Sequence, residues 1–158
     1  MRRFTLRNLF TRSSTTKTKE RRRRQRPEHG YDITILVVDD SRTVVAAFKK
    51  VLTQAGFQVI TAGNGEEGVS TAKTQRPDLI LMDVVMPGIN GFQATRLLRQ
   101  HEPTAKIPII IVSGEQQPTE QVWGKRAGAN GFLTKPVDRG AFFGKIFECL
   151  DEAGIKTD

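Results

Sequence analysis

The sequence contains one cysteine, one tryptophan and one tyrosine among its 158 residues. A single cysteine, Cys149, excludes an internal disulfide, which is consistent with a reducing compartment. Its place in the last amphipathic stretch predicts a packing role. No apolar run approaches the ~20 residues that a membrane-spanning helix requires, so the sequence predicts a soluble, cytoplasmic domain. The N-terminal residues also lack the apolar stretch of ~7–15 residues found in secretory signals.

The basic charge of the chain is concentrated in residues 1–30. This segment holds 11 Lys and Arg against two Glu, a net charge of +9, whereas residues 31–158 hold 14 basic and 15 acidic side chains, a net charge of −1. The globular part therefore gives no reason to expect nucleic-acid binding. Low hydrophobicity and self-repulsion, including the run Arg21–Arg24, predict disorder over residues 11–28.

Three interpretations of this basic segment, residues 1–30, stay open. It is a solvated linker or a mis-assigned start, or it contacts the anionic inner face of the membrane, where each basic residue contributes ~1 kcal/mol. The third interpretation is attachment to nucleic acid without a base-reading module. Leu6, Leu9 and Phe10 can share one helical face beside three arginines, which suits a weak membrane-surface helix.

From Tyr31 onward, apolar runs alternate with helical periodicity five times. The strand-like runs are Ile33–Val38, Phe57–Ala62, Leu79–Met82, Ile109–Val112 and Phe132–Leu133. Residues suited to helix ends lie between them, namely Ser41, Gly56, Pro118, Gly128 and Asp138. This (βα)₅ order with short connections predicts a single doubly wound α/β domain over residues 31–158. Because only eight residues follow Leu150, no separate output domain is expected.

Polar side chains follow the predicted strands where each strand ends. Asp39 and Asp40 follow the first strand, Asp83 the third, Ser113 the fourth and Lys135 the fifth. The carboxyl ends of parallel strands meet at one edge of a sheet, where ligand sites form. Carboxylates suit a hard cation such as Mg²⁺, while an ammonium and a hydroxyl suit phosphoryl oxygens. The sequence therefore predicts adjoining sites for Mg²⁺ and a phosphoryl group.

Four segments carry a family resemblance, Ile35–Ser41, Leu81–Gly88, Ile110–Gly114 and Leu133–Pro136. In order and spacing they resemble the CheY-like receiver domain of two-component response regulators, over about residues 32–154. The resemblance implies a flavodoxin-like fold with strand order 2-1-3-4-5. Three further segments, Gly91–Arg96, Val122–Arg126 and Leu133–Val137, are similar to stand-alone receivers of type IV pilus twitching-motility systems, the PilH type.

The resemblance also implies roles for the acidic residues. Asp83 becomes the phosphoacceptor, a nucleophile that needs a nearby metal ion to reduce charge repulsion. Asp39, Asp40 and Asp83 hold Mg²⁺ together with the main-chain carbonyl of Val85. Lys135 binds a phosphoryl oxygen, and its peptide bond to the following proline is cis.

Other residues receive roles in switching and output from the same resemblance. Ser113 binds the phosphoryl group and carries the switch, while Phe132 is either a rotating aromatic or a permanent core residue. Phe132, Trp123 and Lys125 fall on the face of the fourth helix, fifth strand and fifth helix, where receivers meet partners. Val85 has no polar group to position an attacking water, whereas Glu115 could either position one or form an ion pair. Together these two residues favour slow to intermediate self-dephosphorylation.

The implied function is a signalling switch that accepts a phosphoryl group from a histidine kinase and acts through protein–protein contact in a twitching-motility or chemotaxis-like pathway. It would catalyse only its own phosphorylation and dephosphorylation. Two alternatives stay open: a receiver-fold module that binds its partner without phosphorylation, and a phosphate sink for another regulator. A free-standing phosphatase is disfavoured, because no second acid is placed as a general acid and no P-loop is present.

Overall fold

The computed structural model describes residues 10–11, 30–115 and 117–157. Five parallel strands form one sheet, and they are β1 (Thr34–Val38), β2 (Gln58–Ala62), β3 (Leu79–Asp83), β4 (Ile109–Ser113) and β5 (Gly131–Thr134). Their order in the sheet is β2-β1-β3-β4-β5, which confirms the predicted flavodoxin-like fold. The helices are α1 (Arg42–Ala55), α2 (Gly65–Gln75), α3 (Gly91–Gln100), α4 (Pro118–Ala127) and α5 (Arg139–Glu152), with a 3₁₀ turn at Glu102–Thr104.

The strand register aligns the carboxyl ends of the strands. Val38 at the end of β1 pairs with Met82 of β3, and Asp83 pairs with Val112 of β4. Ser113 in turn pairs with the last residue of β5. Polar residues at or just after these positions therefore share one edge of the sheet, as the sequence predicts.

Two hydrophobic clusters cover the two faces of the sheet. Alternate residues of β1 enter different clusters: Ile35 and Val37 join one, and Leu36 and Val38 join the other. The strands β3 and β4 are buried along their whole length, because helices cover both faces of a doubly wound parallel sheet. Cys149 lies in the first cluster at 2% exposure, which confirms its packing role.

Side chains at the helix ends explain where the helices begin and stop. Ser41 Oγ accepts a hydrogen bond from the backbone of α1, and Asp138 Oδ2 does the same at the start of α5. Gly56 and Gly128 end α1 and α4 in left-handed conformations that favour glycine. An N-cap side chain typically contributes about 1 kcal/mol. The predicted ends of these helices are therefore confirmed.

A second, two-stranded pairing was not predicted. Phe10–Thr11, from the basic segment, pairs in parallel with Val137–Asp138, which directly precede α5. The other residues of the basic segment for which a surface helix or disorder was predicted, including Leu6 and Leu9, lie outside the described residues. Within the part of the chain that the structure describes, no helix is both long and apolar enough to cross a membrane.

Candidate functional site

Three aspartates converge at the carboxyl edge of the sheet. Asp39 and Asp40 follow β1, and Asp83 is the last residue of β3. Each offers a carboxylate oxygen, and these atoms lie within 4.8 Å of one another. Asp39 and Asp83 are buried, whereas Asp40 is exposed and so faces solvent at the mouth of the site. Carboxylate oxygens in this arrangement suit Mg²⁺, which binds few protein ligands and keeps several waters.

Lys135 supplies the cation that the buried acids require. Its Nζ lies 2.9 Å from Asp39 Oδ2 and 3.3 Å from Asp83 Oδ1. The backbone at Lys135 is held against the end of β4, because its N–H donates to the Ser113 carbonyl at 2.7 Å. The peptide bond between Lys135 and Pro136 is cis, as the resemblance implies. The ammonium therefore sits beside the carboxylate predicted to receive a phosphoryl group.

The electrostatics of the site follow from this burial. Burial and then repulsion from Asp39 raise the pKa of Asp83 from 3.8 to about 6, although Lys135 opposes both. Burial lowers the pKa of Lys135, but the negative charges of Asp83 and Asp39 raise it by more. The pKa of Lys135 therefore lies above its ordinary value. At neutral pH the site thus holds an ionised carboxylate and a charged ammonium. An ionised carboxylate is the form required for nucleophilic attack on phosphorus.

The remaining bonds of Asp39 orient it within the site. Its Oδ1 accepts from the backbone N–H of Ser41 at 2.9 Å, while its Oδ2 contacts Lys135. Ser41 is also the N-cap of α1, so the start of the helix and the acidic site share one short turn. Both carboxylate oxygens of Asp39 thus have partners that hold the side chain in place at the edge of the sheet.

Gly91 allows α3 to begin directly against the end of β3. A Cβ at this position would lie 2.0 Å from the carbonyl oxygen of Asp83. The backbone N–H of Gly91 also donates to the Val84 carbonyl at 2.9 Å. No other residue type fits without displacing the backbone that carries the Asp83 side chain.

Ser113 ends β4 at the same edge, but its hydroxyl is engaged with α4. Its Oγ donates to Glu120 Oε2 and accepts from the backbone N–H of Glu115 at 3.1 Å. Glu120 was not singled out from the sequence. The available signal, an acid in the first turn of a predicted helix, is too common to mark a site.

The residues predicted for switching and output lie outside the acidic cluster. Phe132 on β5 is partly buried and packs against the second hydrophobic cluster. Trp123 is 57% exposed on α4. Its ring packs edge-on against the ring of Phe92, with 6.2 Å between the two ring centroids. Lys125 is exposed on the same helix, and the Val85 side chain is 69% exposed beyond β3. The structure thus unites the three aspartates with Lys135 and leaves Trp123 and Lys125 on the outer surface.

Comparisons with known proteins agree with this architecture. The response regulator receiver domain model matches residues 35–147. Protein PilH of Pseudomonas aeruginosa is 53% identical over 104 residues, which cover 66% of this chain and 86% of that protein. The transcriptional regulatory protein PhoP of Bacillus subtilis, named for alkaline phosphatase synthesis, is 37% identical over 102 residues, 65% of this chain and 42% of PhoP.

A solved structure of a chemotaxis protein has the same fold. The chemotaxis protein CheY4 of Vibrio cholerae superposes with a TM-score of 0.71 at 31% sequence identity, covering 75% of this chain and 98% of CheY4. The sheet order, the four sequence motifs and the matched family model coincide over the same residues. The chain therefore belongs to the response regulator receiver domain family of two-component systems.

Proposed function

We propose that the protein is a response regulator whose receiver domain accepts a phosphoryl group on Asp83 from the phosphohistidine of a histidine kinase. The observation that carries the proposal is the position of the Lys135 ammonium, in contact with both Asp39 and Asp83. A buried carboxylate beside an ammonium and two further acids is the arrangement that phosphoryl transfer to an acid requires.

The transfer step follows from these groups. An oxygen of the Asp83 carboxylate forms a bond to phosphorus as the phosphorus–nitrogen bond of the donor breaks. The electron pair of that bond goes to the ring nitrogen, so a donor ring that is protonated at its other nitrogen leaves as neutral imidazole. Lys135 pairs with an oxygen of the transferred group. Asp39 and Asp40 would hold Mg²⁺ together with Asp83 and the main-chain carbonyl of Val85. When bound, Mg²⁺ supplies positive charge that offsets repulsion between the carboxylate and the phosphoryl oxygens.

The output follows by protein–protein contact at the face formed by α4, β5 and α5. Ser113 moves toward the phosphoryl group, Phe132 repacks, and a partner distinguishes the two states through Trp123 and Lys125. Phosphorylation acts only through the difference in partner affinity between the states. Similarity to PilH and CheY4 supports a twitching-motility or chemotaxis-like pathway. We propose that the protein acts in the cytoplasm.

The phosphoryl lifetime is the other property that we infer from the site. The exposed Val85 side chain lies two residues beyond Asp83 and has no polar atom to position a water molecule. We infer slow to intermediate self-dephosphorylation, and a half-life of seconds in the purified protein would contradict this inference.

The test is the intact mass of the protein after incubation with acetyl phosphate, with and without Mg²⁺. The wild type should gain one phosphoryl group only with Mg²⁺, and Asp83→Asn should gain none. Asp32→Asn is the matched control, because Asp32 is an exposed aspartate outside the site. No gain by the wild type under any condition would favour a receiver-fold module that binds its partner without phosphorylation.

A further inference from the structure

The Ser113 hydroxyl links the end of β4 to the first turn of α4. Ser113 is 1% exposed, and its Oγ donates to Glu120 Oε2. Glu120 is the third residue of α4, and its backbone N–H donates to the carbonyl of Gln117 at 3.1 Å. Gln117 itself makes no side-chain capping bond. The Ser113–Glu120 bond therefore ties the first turn of α4 to the sheet.

This bond conflicts with the role proposed for Ser113. A serine hydroxyl carries a single proton and can donate only one hydrogen bond at a time. While that proton is donated to Glu120, it is not available to a phosphoryl oxygen on Asp83. The carboxylate and the phosphoryl group are also both anions, so they cannot share the hydroxyl without repulsion. Formation of the phosphorylated state thus requires the Ser113–Glu120 bond to break.

We propose that Glu120 is a positioning residue that holds the Ser113 hydroxyl and the first turn of α4 in the unphosphorylated state, and that phosphorylation releases both. This inference rests on the proposed function of Asp83. The Ser113–Glu120 bond, which the phosphoryl group displaces, is also the bond that ties α4 to β4. Phosphorylation of Asp83 therefore also frees the first turn of α4.

The surroundings allow this release. A Cβ built on Gly114, the residue after Ser113, meets no atom within 4 Å, so there is free space on that side of the chain. Trp123 follows Glu120 by three residues, which places the two side chains on neighbouring turns of one helix face. The Trp123 ring contacts Phe92 on α3. A shift in the first turn of α4 therefore changes the environment of the exposed Trp123.

The test measures binding of beryllofluoride, a non-transferable mimic of the phosphoryl group, in the presence of Mg²⁺. Trp123 is the only tryptophan in the sequence, so its fluorescence reports on α4 without labelling. The variants are Glu120→Ala and the conservative Glu120→Gln, each in the wild-type and the Ser113→Ala backgrounds. Glu102→Gln is the charge-matched control, since Glu102 is an exposed acid in the 3₁₀ turn that follows α3.

Removal of Glu120 should tighten beryllofluoride binding, because the competitor for the hydroxyl is lost. We expect roughly a fivefold or larger change for Glu120→Ala, at the lower end of typical coupling between sites, and a smaller one for Glu120→Gln. Glu102→Gln should bind like the wild type. In the Ser113→Ala background, the Glu120 substitutions should leave the beryllofluoride affinity unchanged. The hydroxyl for which Glu120 and beryllofluoride compete is absent from that background.

Two outcomes would overturn the inference while leaving the proposed function standing. One is equal beryllofluoride affinity of the wild type and both Glu120 variants. The other is an effect of Glu120→Ala that persists unchanged in the Ser113→Ala background, which would indicate a role independent of the hydroxyl. By contrast, a wild-type protein with no Mg²⁺-dependent binding, indistinguishable from Asp83→Asn, would refute the proposed function itself.

Discussion

The Asp83 carboxylate lies 3.3 Å from the Lys135 ammonium, yet its pKa is raised to about 6. Burial is the first cause and the neighbouring Asp39 the second, and together they exceed the favourable effect of Lys135. The lysine therefore offsets only part of the cost of holding Asp83 ionised. Without a metal ion, the site is a source of instability in the fold.

Asp83→Asn should stabilise the metal-free protein at pH 7. The folded-state pKa of about 6 exceeds the ordinary value of 3.8, so the folded state binds the proton more tightly and stability falls as the pH rises through this interval. Removal of the charge should raise the free energy of unfolding by on the order of 1–3 kcal/mol at pH 7. Urea denaturation in EDTA measures the gain, which should shrink as the pH falls toward about 4. A gain that is constant with pH would show that packing, not ionisation, causes it.

Mg²⁺ should reverse this instability. A ligand that binds only the folded state stabilises it by about 2.7 kcal/mol at 100 times its dissociation constant. The wild-type Tm should therefore rise with MgCl₂ at constant ionic strength, and Asp40→Asn should weaken the response. Asp40 suits this test because it is exposed, so its substitution leaves the buried contacts of Lys135 intact. An identical rise in both proteins would place the ion elsewhere.

Gly91→Ala should be strongly destabilising, because the added Cβ would lie 2.0 Å from the Asp83 carbonyl oxygen. Overpacking of this kind costs about 1–3 kcal/mol or more. Gly144→Ala is the matched control: its Cβ would meet nothing within 4 Å on α5, and alanine in a helix is favoured by up to about 1 kcal/mol. Urea midpoints should thus move in opposite directions for the two variants. Similar midpoints would contradict the close approach of α3 to β3.

Arg99→Met should destabilise the protein, because the Arg99 guanidinium joins α3 to two other segments, the turn before β4 and the loop between α4 and β5. It donates to the carbonyls of Gly128 at 2.9 Å and Ile107 at 2.7 Å, and to Asn130 Oδ1 at 2.7 Å. Loss of these bonds from a half-buried group should cost roughly 2 kcal/mol.

Arg96→Met is the control for this substitution, since Arg96 lies one turn earlier on α3 and is exposed. Its effect on the free energy of unfolding should stay within about 0.5 kcal/mol. Comparable losses for the two variants would indicate that helix propensity or net charge, rather than the bonds of Arg99, decides stability.

The sequence predicts most of the fold because its local signals agree with one another. Apolar runs, Ser41 and Asp138 as caps, and Gly56 and Gly128 as helix ends each point to the same five βα units. The strand order came from family resemblance, since local patterns do not define which strands are neighbours. The roles assigned to the site residues stay predictions, although the structure places the three aspartates and Lys135 together.

Three features could not be predicted because they depend on tertiary contacts. The Ser113–Glu120 bond joins residues whose proximity depends on how the loop after β4 folds back. The bonds of Arg99 join segments up to 31 residues apart. The pairing of Phe10–Thr11 with Val137–Asp138 spans almost the whole chain and involves too few residues to leave a periodic pattern.

The burial of Cys149 has a practical consequence for experiments on this switch. Burial, followed by nearby acids, raises the pKa of its thiol to about 11, so the native protein presents almost no reactive thiolate. Cys149 should therefore not react with maleimides in the native protein, and it does not have to be removed before labelling. A cysteine introduced at the exposed Val122 would then carry a single spectroscopic probe on α4, and the mobility of that probe would report on α4 as the protein changes state.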